Sequence, residues 1–561
     1  SKNTMDYFIH KDLGGFLQRE LDFYIKNEIM RLDDIEQADD TSYTHLLKQI
    51  KVLRGVAKDI IQFLAQLENF QKKLWLKKKF VTETNYCITL DRLVDYPELL
   101  EVVLTNNAQR NEWVNLFAID LDELDRIKAQ GFEAALSNEK FKYLMVDTRF
   151  FDAEFKDELV SKIEGLSERS TGVLINSDNF QALNLIQNTY QSAVNAIYID
   201  PPYNTSASEI IYKNSYKHSS WLSLIDGTIM NAKSLLSQRD GVLCCTIDDA
   251  EQKVLSQLIE SHFSEIIGTV AIRIKPSGRP IPNGFALSHE YAIFAKTNTS
   301  YPIQRLPHSE EHLARYKEVD QQGRFFWEMF RKAGSNSNRS DRPTMYYPFF
   351  LNIETMALRL PTMHFEESQS EYIWDDNLCE NEIAVYPIKD DGSEGCWYFG
   401  YERALTVEDE FQARLQDDGS YRIYYRRRPN DGMQPTTNWF DAKYSATEHG
   451  TALLKKMFGK QEVFSYPKSI HAVSDCLSVS GVDNDKQSIT LDYFAGSATT
   501  GHAVINFNRT DNGNRKYVLC EMGVYFSEVT KPRIQKSIYA KSWKCMFRMN
   551  PNTHFGSIRS P

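Results

Sequence analysis

Cysteine is sparse. Eight residues (Cys87, Cys244, Cys245, Cys379, Cys396, Cys476, Cys520 and Cys545) are scattered with no CxxC pair and no His/Cys cluster at metal-ligand spacing. This argues against a structural zinc site and against a disulfide scaffold, and it fits a reducing compartment. Long hydrophobic runs are also missing: no stretch approaches the roughly 18 consecutive apolar residues of a membrane span. The start, SKNTMDYFIHKD, lacks the apolar core of a secretory signal. The sequence therefore reads as a soluble, cytoplasmic protein with no membrane partner. Positive charge is in deficit too, with a formal net charge of -11. Taken alone, that argues against a nucleic-acid partner, since phosphate binding needs positive potential, but the potential that matters is local. Arg426, Arg427 and Arg428 stand together, Arg273, Lys275 and Arg279 flank a Gly/Pro turn, and Lys72, Lys73, Lys77, Lys78 and Lys79 crowd one segment. Each cluster also reads as an ordinary solvated surface, so charge leaves the question open.

What is present is a globular composition, 42% hydrophobic and 25% charged over 561 residues, long enough for roughly two to four domains. Apolar spacing of three and four in LLKQIKVLRGVAKDIIQFLAQLENFQKKLWL predicts helices up to about residue 75, a docking or dimerising hairpin. A β-like run at 86–90 and further polar helices complete an accessory, mostly helical region over 1–170. From Thr171 the texture changes to GVLINSD, then an amphipathic helix, then NAIYIDPPYNT, a further helix and GVLCCTIDD. Strands alternating with helices at this spacing predict a parallel sheet covered on both faces. Between 301 and 455 the rhythm is lost in aromatic, turn-rich sequence (YYPFF, GCWYFGYE, SYRIYYRRRPNDG), which predicts an inserted, mixed or β-rich domain. It resumes with SITLDYFAGSATTGHAV and KYVLCEM. The α/β domain is thus expected in two halves, 171–300 and 456–540, followed by a tail at 541–561.

Two motifs carry chemistry. Asp200-Pro201-Pro202-Tyr203 follows the buried run AIYI, at the carboxyl end of a strand, where ligands bind in open α/β sheets. An aromatic amine needs one acceptor for each N–H. Asp200 offers a carboxylate oxygen and Pro201 a carbonyl with no N–H to compete. Pro202 stiffens the loop, and Tyr203 offers a ring on which an unstacked base can lie. A structural alternative is a Pro-rich strand exit with a surface tyrosine; the extension Asn204-Thr205 favours the chemical reading. The second motif, Asp492-Tyr493-Phe494-Ala495-Gly496-Ser497-Ala498-Thr499-Thr500-Gly501, follows the strand SITL. Gly496 lets backbone pass close to a nucleoside, while Ser497, Thr499 and Thr500 either satisfy its polar groups or cap the next helix. No lysine stands where a P-loop requires one, which disfavours a nucleoside triphosphate. Glu521 ends the strand KYVLC, 25 residues after Gly496, where an acid accepts hydrogen bonds from a ribose diol. Beside DPPY it favours an adenosyl cofactor.

The chain resembles the amino-methylating DNA methyltransferases of the permuted β order, most closely the modification (Mod) subunits of type III restriction-modification systems. The resemblance covers about 171–540. It rests on LINSDN (174–179), DPPYNT (200–205), YKHSSW (216–221), TIDDAE (246–251), SHEYAIFAK (288–296), RKAGSNSNRSDRP (331–343), FSYPKS (464–469) and DYFAGSATTGHAV (492–504). It implies an α/β, permuted Rossmann-like methyltransferase fold interrupted by a target-recognition domain, with S-adenosylmethionine as cofactor and no metal. It further implies that Asp492, Phe494, Ala495 and Gly496 hold the methionine part, Glu521 the ribose, and Asp178 and Asn179 the adenine end, with Pro467, Lys468 and Asp200 nearby. Two positions depart from the pattern: Ala498 stands where a second glycine is usual, and Ser177 where a glycine is common. Alanine fits if its φ is negative and is strained by about 1 kcal/mol if it is positive.

The resulting expectation is a DNA adenine N6-methyltransferase that works by direct transfer, because a carboxylate is too weak a base to deprotonate an aromatic amine before attack. The alternatives are cytosine N4 methylation and an impaired DNA-binding specificity or assembly subunit. The expected partners are double-stranded DNA, a second copy of the chain and a restriction (helicase/nuclease) subunit. Arg273, Lys275, Arg279, Arg339, Arg342, Tyr424, Arg426, Arg427 and Arg428 are the candidate DNA contacts, as arginines suit phosphates and guanine edges.

Overall fold

Strands buried on both faces need no alternation of apolar and polar residues, and two runs show it. AIYI and VLCCTI are buried at every position, as expected for the middle of a sheet with helices on either side. In this computed structural model, which describes residues 12–30, 40–75, 80–130, 139–203, 218–459 and 463–540, they form the centre of an eight-stranded sheet. Asn204, Thr205, Tyr216, Lys217, Lys77, Lys78, Lys79 and the tail at 541–561 lie outside the described residues. The strands are β1 (Gly172–Asn176), β2 (Ala196–Ile199), β3 (Val242–Ile247), β4 (Glu265–Ile272), β5 (Glu290–Lys296), β6 (Asn438–Trp439), β7 (Ile489–Asp492) and β8 (Lys516–Glu521). Their spatial order is β6-β4-β5-β3-β2-β7-β8-β1. All run parallel except β5, which is antiparallel to both its neighbours.

Helices Asn179–Tyr190, His218–Lys233 and Gln252–His262 pack side by side, and Ile470–Val479, Thr499–Asp511 and Lys531–Tyr539 form a second group. Trp221, Ile225, Ile229, Leu255 and Ile259 from the first group join Ile197, Ile199, Leu243 and Ile247 of the strands in one apolar cluster. From β7 the chain moves to β8 at one side, and from β2 it moves to β3 at the other. The connections part between β2 and β7, which makes their carboxyl ends the switch point of the sheet.

Upstream, helix Leu13–Tyr24 pairs with helix Asp40–Trp75. Gly14 permits the approach, as a Cβ there would stand 3.1 Å from that of Ala65. The longer helix leaves Leu53, Val56, Ile60, Phe63, Leu67 and Phe70 exposed, spaced alternately by three and four. Residues 87–130 and 139–169 form a helical layer with its own core around Leu93, Trp113, Phe141 and Leu159, joined by Tyr539 from the last helix. The β-like run expected at 86–90 is the strand Cys87–Thr89, paired antiparallel with Met145–Asp147. Among the described residues no helix is long and apolar enough to cross a membrane.

Arg305–Gln434 is a separate compact unit. It is β-rich, with one four-stranded sheet (Phe411–Leu415, Tyr421–Arg427, Gly323–Met329, Glu318–Asp320), one three-stranded sheet and a two-stranded ribbon. Its aromatic richness serves its own core: Phe330, Tyr347, Phe349, Trp397 and Tyr425 pack together. This unit ends at Gln434, whereas the sequence led to a boundary at 455. The α/β unit resumes at Pro435 because Asn438–Trp439 adds the edge strand β6 beside β4, a pairing of two residues that leaves no periodic signal.

Candidate active site

Four acids stand at the carboxyl ends of four adjacent parallel strands. Asp178 lies two residues beyond β1, Glu521 ends β8, Asp492 ends β7 and Asp200 follows β2 directly. Topology alone brings together residues more than 300 positions apart, around the switch point.

The DPPY loop is braced from three sides. Asp200 Oδ1 accepts from the Thr246 hydroxyl at 2.8 Å and faces the Lys468 ammonium at 3.0 Å. Among the described residues, Oδ2 and the Pro201 carbonyl have no partner. The next carbonyl, Pro202, is taken by the buried Trp221 indole N–H at 2.8 Å. Tyr203 donates its hydroxyl to Glu290 Oε2 at 2.8 Å, receives a hydrogen bond from Lys468, and lays its ring against the apolar cluster. Lys468 also reaches Glu290 Oε2 at 2.5 Å. Burial works against the Lys468 charge, yet Asp200 and Glu290 outweigh it and hold the ammonium above the ordinary lysine range. Burial pushes the Glu290 carboxyl up while Lys468 pulls it down. A buried cation between two acids is the arrangement in which such a charge persists. The lysine approach is shaped by Gly450, where a Cβ would meet the Pro467 carbonyl oxygen at 2.3 Å. Lys468, expected beside the cofactor, meets Asp200, Tyr203 and Glu290 and so braces the DPPY loop.

The second loop is built around Asp492, 2% exposed. Its Oδ1 accepts from the Phe494 N–H at 3.0 Å and its Oδ2 from the Thr500 hydroxyl at 2.6 Å. Burial pushes this carboxyl up to about 7, against those hydrogen bonds. Gly496 sits at φ 50° and Ala498 at φ 64°, so the alanine occupies the left-handed region where a glycine is usual. Ser177, by contrast, is not among the residues of positive φ and is unstrained. The buried Glu521 receives the N–H groups of Gly496, Met522 and Gly523 at 2.8–2.9 Å. Glu521 therefore ties β8 to the Gly496 loop. Phe494 and Ala495 are nearly buried, and the Phe464 ring lies where a Cβ on Gly496 would touch it, at 3.4 Å. Asp178 caps helix Asn179–Tyr190 by accepting from the Gln181 N–H.

Ser497 and Thr499, expected to serve a bound nucleoside or to cap a helix, are engaged within the protein. Arg533, fully buried, donates to both hydroxyls at 2.8 Å. Burial pushes this guanidinium down to about 9. With Thr500 held by Asp492, the loop is shaped from beneath by its own hydroxyls. Thr246, Glu290 and Trp221 lie inside segments that carry the resemblance, without a role assigned to them. Arg533, in a polar helix with no motif around it, gives no sequence signal.

The candidate DNA contacts divide. Lys275 and Arg279 are exposed, with no ion pair among the described residues. Arg273 donates to the Phe440 carbonyl. The arginine triplet is not the free basic cluster that its sequence suggests. Arg428 is bidentate to Asp320 (2.8 and 2.7 Å) and also meets Glu410. Arg426 stands 3.7 Å from Asp320 and over the Phe325 and Trp327 rings, and Arg427 lies 3.8 Å from Glu328. Strand alternation explains the split, since Arg426 and Arg428 share one face and Arg427 takes the other. Tyr424 is half-buried. Arg339 pairs with Glu394 and stacks on Tyr346, and Arg342 lies against Met345.

A family model described as "DNA methylase", of the N6/N4 type, matches residues 194–532. The chain is 28% identical over 432 residues to the type III restriction-modification enzyme EcoPI Mod subunit of Escherichia phage P1, covering 67% of this chain and 63% of that one. It is 28% identical over 382 residues to the type II methyltransferase M.KpnI of Klebsiella pneumoniae, covering 66% and 84%. It is 23% identical over 408 residues to the EcoP15I Mod subunit of Escherichia coli, covering 64% and 59%. The chain thus spans less than two thirds of the Mod subunits it matches. With more than half of its length matched, and with the motif-bearing loops gathered at one sheet edge, the chain belongs to the N6/N4 DNA methylase family.

Proposed function

We propose that this protein transfers a methyl group from S-adenosylmethionine to the N6 amino group of an adenine turned out of duplex DNA, as the modification component of a restriction-modification system. The observation that carries the reading is Asp200. One oxygen is tied down by Thr246 and Lys468, and among the described residues neither the other oxygen nor the carbonyl of the next residue, Pro201, has a partner. Two fixed acceptors match two N–H donors of one amine.

The residues at the sheet edge fit the cofactor. It presents a ribose diol, an ammonium and a sulfonium, and the acids Glu521 and Asp178 stand at the same strand ends, while Asp492 shapes the loop through the Phe494 N–H and the Thr500 hydroxyl. Gly496 at φ 50° brings backbone close without a side chain. Bound S-adenosylmethionine supplies an electrophilic methyl group. Asp200 Oδ2 and the Pro201 carbonyl hold the amine so that its lone pair points away from them, at the methyl. Tyr203, fixed by its hydroxyl, offers its ring to the flipped base. Lys468 keeps one oxygen of Asp200 occupied, so the other is aimed without reorganisation. The proton leaves as or after the new bond forms.

Adenine is favoured over cytosine by the aspartate that heads the motif, a tendency of the family that this chain resembles. We further propose that the chain works as a homodimer with a restriction subunit as partner. The test is direct. Asp200→Ala should abolish methyl transfer while S-adenosylmethionine affinity by calorimetry stays within about threefold. Parallel losses of affinity and turnover would reject the division between substrate and cofactor acids. Base-resolved sequencing of host DNA with and without the protein should show N6-methyladenine at one site; N4-methylcytosine would reassign the base.

A further inference from the structure

Between β4 and β5 the chain makes a hairpin whose tip is stiff and apolar. Arg279 and Leu287 exchange main-chain hydrogen bonds (2.6 and 3.0 Å), and Lys275 is bonded to Ser288 at 3.1 Å. Gly278, at φ 70°, allows the two arms to close, since a Cβ there would stand 2.8 Å from that of Ala286. Pro280 and Pro282 fix two of the tip positions. On this braced tip Phe285 is 95% exposed and Ile281 40%. An unattached phenylalanine on a rigid turn forgoes all the burial that such a side chain gains in a core.

The hairpin leaves β4 at the same edge as Asp200 and enters β5 at Glu290, the acid that holds Tyr203 and Lys468. Asp248, just beyond β3, is raised by burial and lowered by the charges of both Arg279 and Lys468, so the hairpin base and the catalytic brace share one electrostatic neighbourhood. Lys275 and Arg279 at that base are exposed. An exposed aromatic at the tip of a hairpin that carries two exposed cations at its base and returns into the site at Glu290 matches the wedges that fill an opened base step.

We propose that Phe285 enters the duplex as the target nucleotide leaves it, occupying the vacated stack, while Lys275 and Arg279 hold the flanking phosphates. The inference rests on the reading of this site as one for a flipped base. A wedge stabilises the opened duplex and does no chemistry, so its loss should be felt only where the base must be extracted.

The experiment compares Phe285→Ala with the unaltered full chain on two duplexes carrying the methylated site: one fully paired, the other with an abasic position opposite the target. Phe285→Ala should lower kcat on the paired duplex by at least about tenfold and act normally on the abasic one, with unchanged S-adenosylmethionine affinity. Phe285→Trp should retain activity on both. With 2-aminopurine at the target position, fluorescence should rise on binding to the unaltered chain and stay low with Phe285→Ala. Equal losses on both duplexes, or no loss on either, would overturn the wedge. An unaltered chain that methylates neither duplex would remove the functional reading, and the wedge with it.

Discussion

Ala498 sits at φ 64° with its side chain fully buried, and three opposing effects decide what a glycine would do there. Relief of the left-handed strain is worth about 1–2 kcal/mol. Against it stand about 0.4–1 kcal/mol of added unfolded-state freedom and about 0.8 kcal/mol for the lost buried methyl. The terms nearly cancel, which explains how alanine is tolerated. Ala498→Gly should shift the thermal midpoint by less than about 4 °C and leave cofactor affinity within about threefold. A rise beyond that would show that the alanine strains its surroundings as well as its own backbone. Asp492 makes a pH-dependent prediction. Its carboxyl lies near 7 when folded, against 3.8 for the ordinary group, so the folded state holds a proton that the unfolded chain has released. Its contribution to stability is therefore complete below about pH 4 and is lost as pH rises through 7. Asp492→Asn should gain on the parent protein in thermal melts from pH 5 to pH 8; a constant difference would refute the shift.

At the scale of elements, periodicity and loop chemistry were legible and long-range partnership was not. AIYI and VLCCTI declared themselves as buried strands, and the order DPPY first, FAGSA last, placed both loops at strand exits. Lys468 was named through the family resemblance, but its partners Asp200 and Glu290 are set by the order β5-β3-β2, which no local pattern encodes. YRRR suggested a basic patch, but a strand sends alternate side chains to opposite faces, and Asp320 and Glu410 lie too far along the sequence to be foreseen. The long N-terminal helix poses the remaining question. Its exposed seam from Leu53 to Phe70 alternates three and four, the spacing of a coiled-coil face. The six residues are 40–61% exposed, and a standard interface buries ~800 Å² per partner. We propose that this seam takes the second copy of the chain. Ile60→Glu with Phe63→Glu should convert a dimer to a 65 kDa monomer in light scattering. An unchanged mass would move the interface elsewhere.

For the whole molecule, the two units carry two separate cores. The four acids and their braces belong to the α/β unit, whereas Arg305–Gln434 holds its own aromatic core. If the insert reads DNA sequence, exchanging 305–434 for the corresponding stretch of a relative with another target should redirect genomic methylation while kcat stays within about tenfold. A folded hybrid that still modifies the original site would assign reading to the α/β unit. At the neck of the insert, Leu306 and Met433 bond to each other through both their backbones, at 2.9 and 2.7 Å. The chain therefore departs and returns side by side, and the cost of closing such a loop grows only slowly with what it contains. Evolution can treat this neck as a socket: recombination in the two flanks would exchange the whole insert in one event and leave the four acids at the strand ends untouched.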